Sequence, residues 1–116
     1  MGGRSGGGAR GGGMRAQQKA LKAQFAAMSA GDRYNATQKI SNTLFLDSMA
    51  PKGNITRKDR LETFLTSLQK KGGFSGDVAG SVLKSMNYYN GGMISNMSQK
   101  QAWVLAKGAV EHGIKY

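Results

Sequence analysis

The chain has 116 residues, enough for one small domain with a modest core. Seventeen Lys and Arg stand against six Asp and Glu, a formal net charge of +11 that points to a polyanionic partner, nucleic acid before anionic membrane. The absence of cysteine excludes disulfides, thiolate nucleophiles and Cys-based zinc sites, and a lone histidine, His112, excludes a histidine pair or multi-histidine metal site within one chain.

Residues 1–15, MGGRSGGGARGGGMR, are low in complexity, and their only charges are Arg4, Arg10 and Arg15. Glycine loses the most backbone freedom on folding, and almost no apolar surface is available to offset that loss. The composition therefore predicts a disordered Gly/Arg-rich N-terminal arm, followed by a single helical domain over residues 16–116. Such an arm suits contact with phosphates or stacking of guanidinium groups on bases. The plainer alternatives are a solubilising tail or a leader that orders only inside an assembly. No apolar run follows the early positive charges, as a secretory signal would require.

Residues 16–30, AQQKALKAQFAAMSA, predict a helix, with Leu21, Phe25 and Met28 as a narrow apolar stripe and Gly31 as its C-terminal cap. Lys19 and Lys22 fall on the remaining surface, and no acid precedes Asp32. In the next stretch, Asp32 or Asn35 is expected to cap a helix from Ala36 to about Met49. Ile40, Leu44 and Phe45 would be buried, with Asp47 and Ser48 outside. Thr43–Leu46 alone would also pass for a strand, but a lone strand has no partner here. Pro51-Lys52-Gly53-Asn54 reads as a turn.

The best-marked helix covers residues 57–71, with Thr56 as expected N-cap and Leu61, Phe64, Leu65 and Leu68 at core spacing. Lys70 and Lys71 complement the dipole in its last turn, whereas Arg57, Lys58 and Arg60 crowd the first turn, where the dipole disfavours cations. That placement hints at an anion nearby. A helix over residues 76–90 is expected to start at Ser75, with Phe74 stapling onto it. Val78, Val82, Met86 and Tyr89 would share one face, with one of Tyr88 and Tyr89 inside and the other near the surface. After a loop at residues 91–96, Ser98 and Gln101 form an S-x-x-Q capping box. The helix they open carries Ala102, Leu105, Ala106 and Ala109 as a small-residue stripe. Trp103 is expected as a core anchor, and Gly113 as the stop. The expected fold class is all-α, a small bundle of four to five short helices.

The stretch from Thr56 to Gly113 resembles a small helical module of phage and bacterial proteins, some of them associated with DNA replication. The module has a hydrophobic helix, a Gly-containing loop and a helix start of the form Leu-Ser-x-Lys-Gln. The matching residues are Leu61, Phe64, Leu65 and Leu68, then Ser98, Lys100 and Gln101, with Met97 in the place of the leucine. The match covers about half the chain. It implies a phage or mobile-element origin and contact with DNA or a replication protein, and it carries over no catalytic residue.

No catalytic motif is present. Asp59 and Glu62 are neighbours at i, i+3, but basic residues surround them, and Ser81-Val82-Leu83-Lys84 has the S-x-x-K spacing only as part of an amphipathic helix. The Gly-rich arm lacks the strand and the Gly-Lys-Ser/Thr of a phosphate loop. The expected function is therefore non-catalytic: a small basic nucleic-acid-binding protein of low sequence specificity, with no catalytic residue, metal ligand or cofactor. Arg4, Arg10, Arg15, Lys19, Lys22, Arg57, Lys58 and Arg60 would contact phosphates of DNA or RNA. The alternative is a phage interaction module, either a virion component or an inhibitor of a host enzyme, for which seven methionines suit adaptable packing against a phage or host protein. A membrane partner is not expected, because the apolar face of residues 16–30 is mostly alanine. The expected location is the host-cell cytoplasm or the virion, and a core this small leaves room for a homo-oligomer.

Overall fold

A computed structural model describes the backbone of residues 6–116 and the side chains from Arg15 onward. The arm expected over residues 1–15 lies, Arg15 apart, outside the residues described in full. The described chain is all-α. Its helices are α1 (Gly6–Ala27), α2 (Ala30–Met49), α3 (Ile55–Lys71), α4 (Gly73–Ser85) and α5 (Gln99–His112).

Helix α5 is the hub, touching each of the other four. Its inner face is built from small residues, Ala102, Ala106, Gly108 and Ala109, with Leu105 among them, all buried. Short side chains let neighbouring backbones approach from several directions. Gly108 shows the limit of this: a Cβ there would stand 2.5 Å from Ser75 Oγ and 2.6 Å from Ser75 Cβ on α4. The capping box forms as expected, with the Ser98 side chain accepting from Gln101 N–H and the Gln101 side chain accepting from Ser98 N–H, both at 3.0 Å. Gly113 ends α5 in the left-handed conformation. Around this hub the fully buried large side chains are Leu44, Leu61, Leu65, Leu68, Ile94 and Leu105.

The segment between α4 and α5 is a loop, but an anchored one. Lys52 N–H donates to Gly92 O, Ile94 N–H to Ala50 O and Ser95 N–H to Ser48 O, at 2.8, 2.9 and 3.0 Å. These bonds hold residues 92–95 alongside residues 48–52 in the manner of a short strand pair, and they seat Ile94 in the core.

Several boundaries and faces differ from expectation. Helix α1 ends at Ala27, and Gly31 lies inside α2 rather than capping α1. Ser29 caps α2 by accepting from Asp32 N–H, so neither Asp32 nor Asn35 does. Arg33 bonds the carbonyls of Phe25, Ala26 and Met28, which satisfies the end of α1 from the next helix. Helix α3 is capped by Asn54, whose side chain accepts from Arg57 N–H, and not by Thr56. Ser75 is already inside α4, which starts after Gly72 without a side-chain cap. That helix stops at Ser85, and the turn after it is held by side chains. Lys52 Nζ bonds the carbonyls of Met86 and Tyr88, and Asn90 Nδ2 those of Ser85 and Tyr88. With the helix ended, Tyr88 and Tyr89 are both exposed, and so is Phe74.

The largest difference is the rotation of α2. Its buried face is Thr37, Ser41, Leu44, Asp47 and Ser48, while Leu46 and Met49 face outward. The helix was expected, but Asp47 and Ser48 were expected outside it. Their burial is possible because their polar groups are satisfied within the fold. Ser48 Oγ donates to Phe45 O at 2.6 Å, and Thr37 Oγ1 to Arg33 O at 2.8 Å. Asp47 finds partners on α3 and at the C-terminal segment.

Candidate nucleic-acid interface

The cations expected to contact phosphates fall into two groups. Arg4 and Arg10 lie outside the residues described at side-chain level. Arg15, Lys19 and Lys22 are exposed on α1. At i, i+4 and i+7 they share one face, a stripe about 10 Å long by helical rise. No Asp or Glu occurs in α1, so nothing within the helix neutralises it. Close contact with the end of α5 holds this helix in place. A Cβ built at Gly113 would collide with Gln18 O and stand 2.6 Å from Lys22 N.

Arg57, Lys58 and Arg60 belong to the first turns of α3, and here the anion that the sequence hinted at is internal. Asp47 is buried, and Arg60 donates to its Oδ2 through Nε at 3.2 Å and Nη2 at 2.8 Å. Arg57 Nε lies 3.6 Å from Oδ1, and the Tyr116 hydroxyl also donates to Oδ2. Among the described residues, both ion pairs end on this one carboxylate. The Arg60 guanidinium lies 5.3 Å from the centre of the Tyr116 ring, which packs edge-on against Phe64. Its hydrogen bond to Asp47 raises the Arg60 pKa above the ordinary value, against an opposing effect of desolvation. Burial, reinforced by the hydrogen bond to Asp47 and its charge, raises the Tyr116 phenol well above its ordinary 10.0. Arg57 and Arg60 stay about half exposed at 48% and 49%, so each keeps an outward surface while serving the fold.

The two groups do not converge. An open groove of about 720 Å³ separates α1 from α3, with Leu21, Phe64 and Ile114 on its walls and Arg60 at its rim. Of the α1 residues lining it, Gln17, Ala20, Leu21 and Gln24 are on the side of the helix opposite the Arg15–Lys19–Lys22 stripe, and Gln18 stands between that side and the stripe.

A second open groove, of about 700 Å³, lies between α2 and the start of α5. Tyr34, Phe45 and Trp103 line it together with Gln38, Asn42 and Gln99. The Tyr34 and Trp103 rings are 5.3 Å apart between centres and tilted by 55°. Trp103 is thus half-buried against an exposed tyrosine, not enclosed in the core as expected. Tyr34, Gln38 and Asn42 are not among the residues expected to form a site. Their i, i+4, i+8 spacing was a readable signal, but it emerges only once α2 is extended back to Ala30.

Among the described residues no three His, Asp or Glu side chains are grouped as metal ligands, and no helix is long and apolar enough to cross a membrane. No family model, curated protein or solved structure matches the chain.

Proposed function

We propose that this chain is a small, basic, non-catalytic nucleic-acid-binding protein of low sequence specificity, of phage or mobile-element origin as its resemblance to the helical module implies. The observation that carries this reading is the exposed Arg15–Lys19–Lys22 stripe on a helix without acids, in a chain of net charge +11. Cations spaced along one helix face complement a phosphate backbone without reading bases, which gives affinity and little specificity. The half-exposed Arg57 and Arg60, with neighbouring Lys58, would form a second, weaker contact because their charge is partly spent on Asp47.

The test is fluorescence anisotropy of labelled single- and double-stranded DNA and RNA at about 50 and about 200 mM salt. Binding should weaken steeply as salt rises. Replacing Arg15, Lys19 and Lys22 together by Gln should flatten the log–log salt slope on single strands by roughly 2, at about 0.7 per lost phosphate contact. Absence of binding at the lower salt, or binding indifferent to salt, would overturn the proposal.

A second reading, a phage interaction module that docks on a phage or host protein, draws support from the exposed Leu46, Met49 and Ile55 near the α2–α3 turn. Exposed apolar side chains grouped in one region suit a protein partner. A stable protein complex, with no affinity for DNA or RNA, would favour it.

A further inference from the structure

We propose that the Tyr34–Trp103 groove between α2 and α5 is a base-stacking subsite for unpaired nucleotides. This rests on the nucleic-acid reading above and narrows it to single strands. The groove combines what an unpaired base requires. Tyr34 and Trp103 offer tilted aromatic faces with centres 5.3 Å apart, and Phe45 adds a third ring to the lining. Gln38, Asn42 and Gln99 bring amide groups, each both donor and acceptor, suited to base edges of any identity. No acidic or basic side chain lines the groove itself. The charge sits just outside it. Lys100 and Lys107 are exposed at i−3 and i+4 from Trp103, one turn to either side on the same helix, where backbone phosphates flanking a stacked base would run. Aromatic faces flanked along α5 by two exposed lysines match single-stranded nucleic acid. In a duplex the bases are already stacked and paired, so the groove has no face to take.

Trp103 is the only tryptophan, so its emission reports on this groove alone. The experiment titrates the full chain with a short oligo(dT), a mixed-sequence duplex and inorganic polyphosphate, a polyanion without bases. Oligo(dT) should quench Trp103 emission, and polyphosphate should bind without quenching. Tyr34 is 55% exposed, so Tyr34→Ala should leave the thermal melt unchanged. It should weaken oligo(dT) binding about tenfold, the loss expected for one stacked base, and leave duplex affinity as it was. Oligo(dT) that binds with a normal salt slope, yet leaves Trp103 emission unchanged and treats Tyr34→Ala like the parent chain, would overturn the subsite while the nucleic-acid reading stands. If neither oligo(dT) nor duplex binds, that underlying reading falls and the subsite falls with it.

Discussion

Asp47 is the residue whose surroundings explain most. It is buried, yet it sits on a helix and carries a charge, a combination that survives only with close partners. Arg60, Arg57 and Tyr116 supply them, and in doing so they pin α2, α3 and the C-terminal segment to one point. Tyr116 gives this point a pH dependence. Its phenol pKa is raised in the folded chain, so the folded state holds the proton more tightly than the unfolded one. The resulting stability is present in full below the ordinary tyrosine value of about 10 and is lost as pH rises beyond it. The chain should unfold in less urea as pH climbs above about 10, and Tyr116→Phe should show a shallower alkaline fall, as followed by urea midpoints across that range. Equal alkaline slopes would contradict it. Gly113 is the second decisive residue. It takes φ +71 and lies against the α1 backbone. Gly113→Ala adds the cost of that conformation to a backbone collision, so a loss of about 2–4 kcal/mol is expected by chemical denaturation, with α1 the first element to loosen.

Helices α4 and α5 pose a contest between two effects of known size. In isolation, Gly108→Ala should strengthen α5 by about 0.5–1 kcal/mol, because glycine is a poor helix former. In the fold, the added methyl meets Ser75 at 2.5–2.6 Å and Leu68 Cδ1 at 3.1 Å. Ser75 Cβ cannot swing away as a long side-chain tip would, and overpacking of this kind costs about 1–3 kcal/mol. The net expectation is a loss of about 1 kcal/mol of stability by urea denaturation, with helical content retained; a gain would mean that α4 yields easily. The caps show the same interplay of local and distant forces. The Ser98–Gln101 box was legible because both partners lie within one turn. The turn that follows α4 was not, because Lys52 reaches the carbonyls of Met86 and Tyr88 from 34 and 36 positions away.

For the whole molecule, the excess of positive charge is a standing cost. At about 0.01 M salt the Debye length, roughly 30 Å, exceeds the shortest dimension of the molecule, 23 Å, so cations on opposite sides repel one another. At about 0.15 M it shrinks to roughly 8 Å and most of that repulsion is screened. The Asp47 pairs are in direct contact around a buried carboxylate, so salt weakens them less. Thermal stability should therefore rise with NaCl over this range, and a melting temperature that falls instead would mean that attractive pairs outweigh the repulsion. The same charge serves the proposed function, since phosphates would relieve what the fold tolerates.

Much of this architecture was legible from residues close in sequence. The all-α class, the core stripe Leu61–Phe64–Leu65–Leu68, the small-residue face of α5 and its two ends all follow from spacing within a few turns. Lys19 and Lys22 on the surface of α1 were readable too, but Arg15 joins them as a stripe only because α1 starts ahead of it, where the composition predicts an arm. What periodicity could not decide was the rotation of α2, since its apolar residues point to a face of Ile40, Leu44 and Phe45 and leave Asp47 and Ser48 outside. Ser48 satisfies its own hydroxyl within the helix by donating to Phe45 O, but only the tertiary structure turns Asp47 inward, because only it brings Arg57, Arg60 and Tyr116 to the carboxylate. That same rotation sets Tyr34, Gln38 and Asn42 opposite Trp103 and creates the aromatic groove. A helix records in its own sequence which residues share a face. Which face goes inward depends on partners contributed by the rest of the chain.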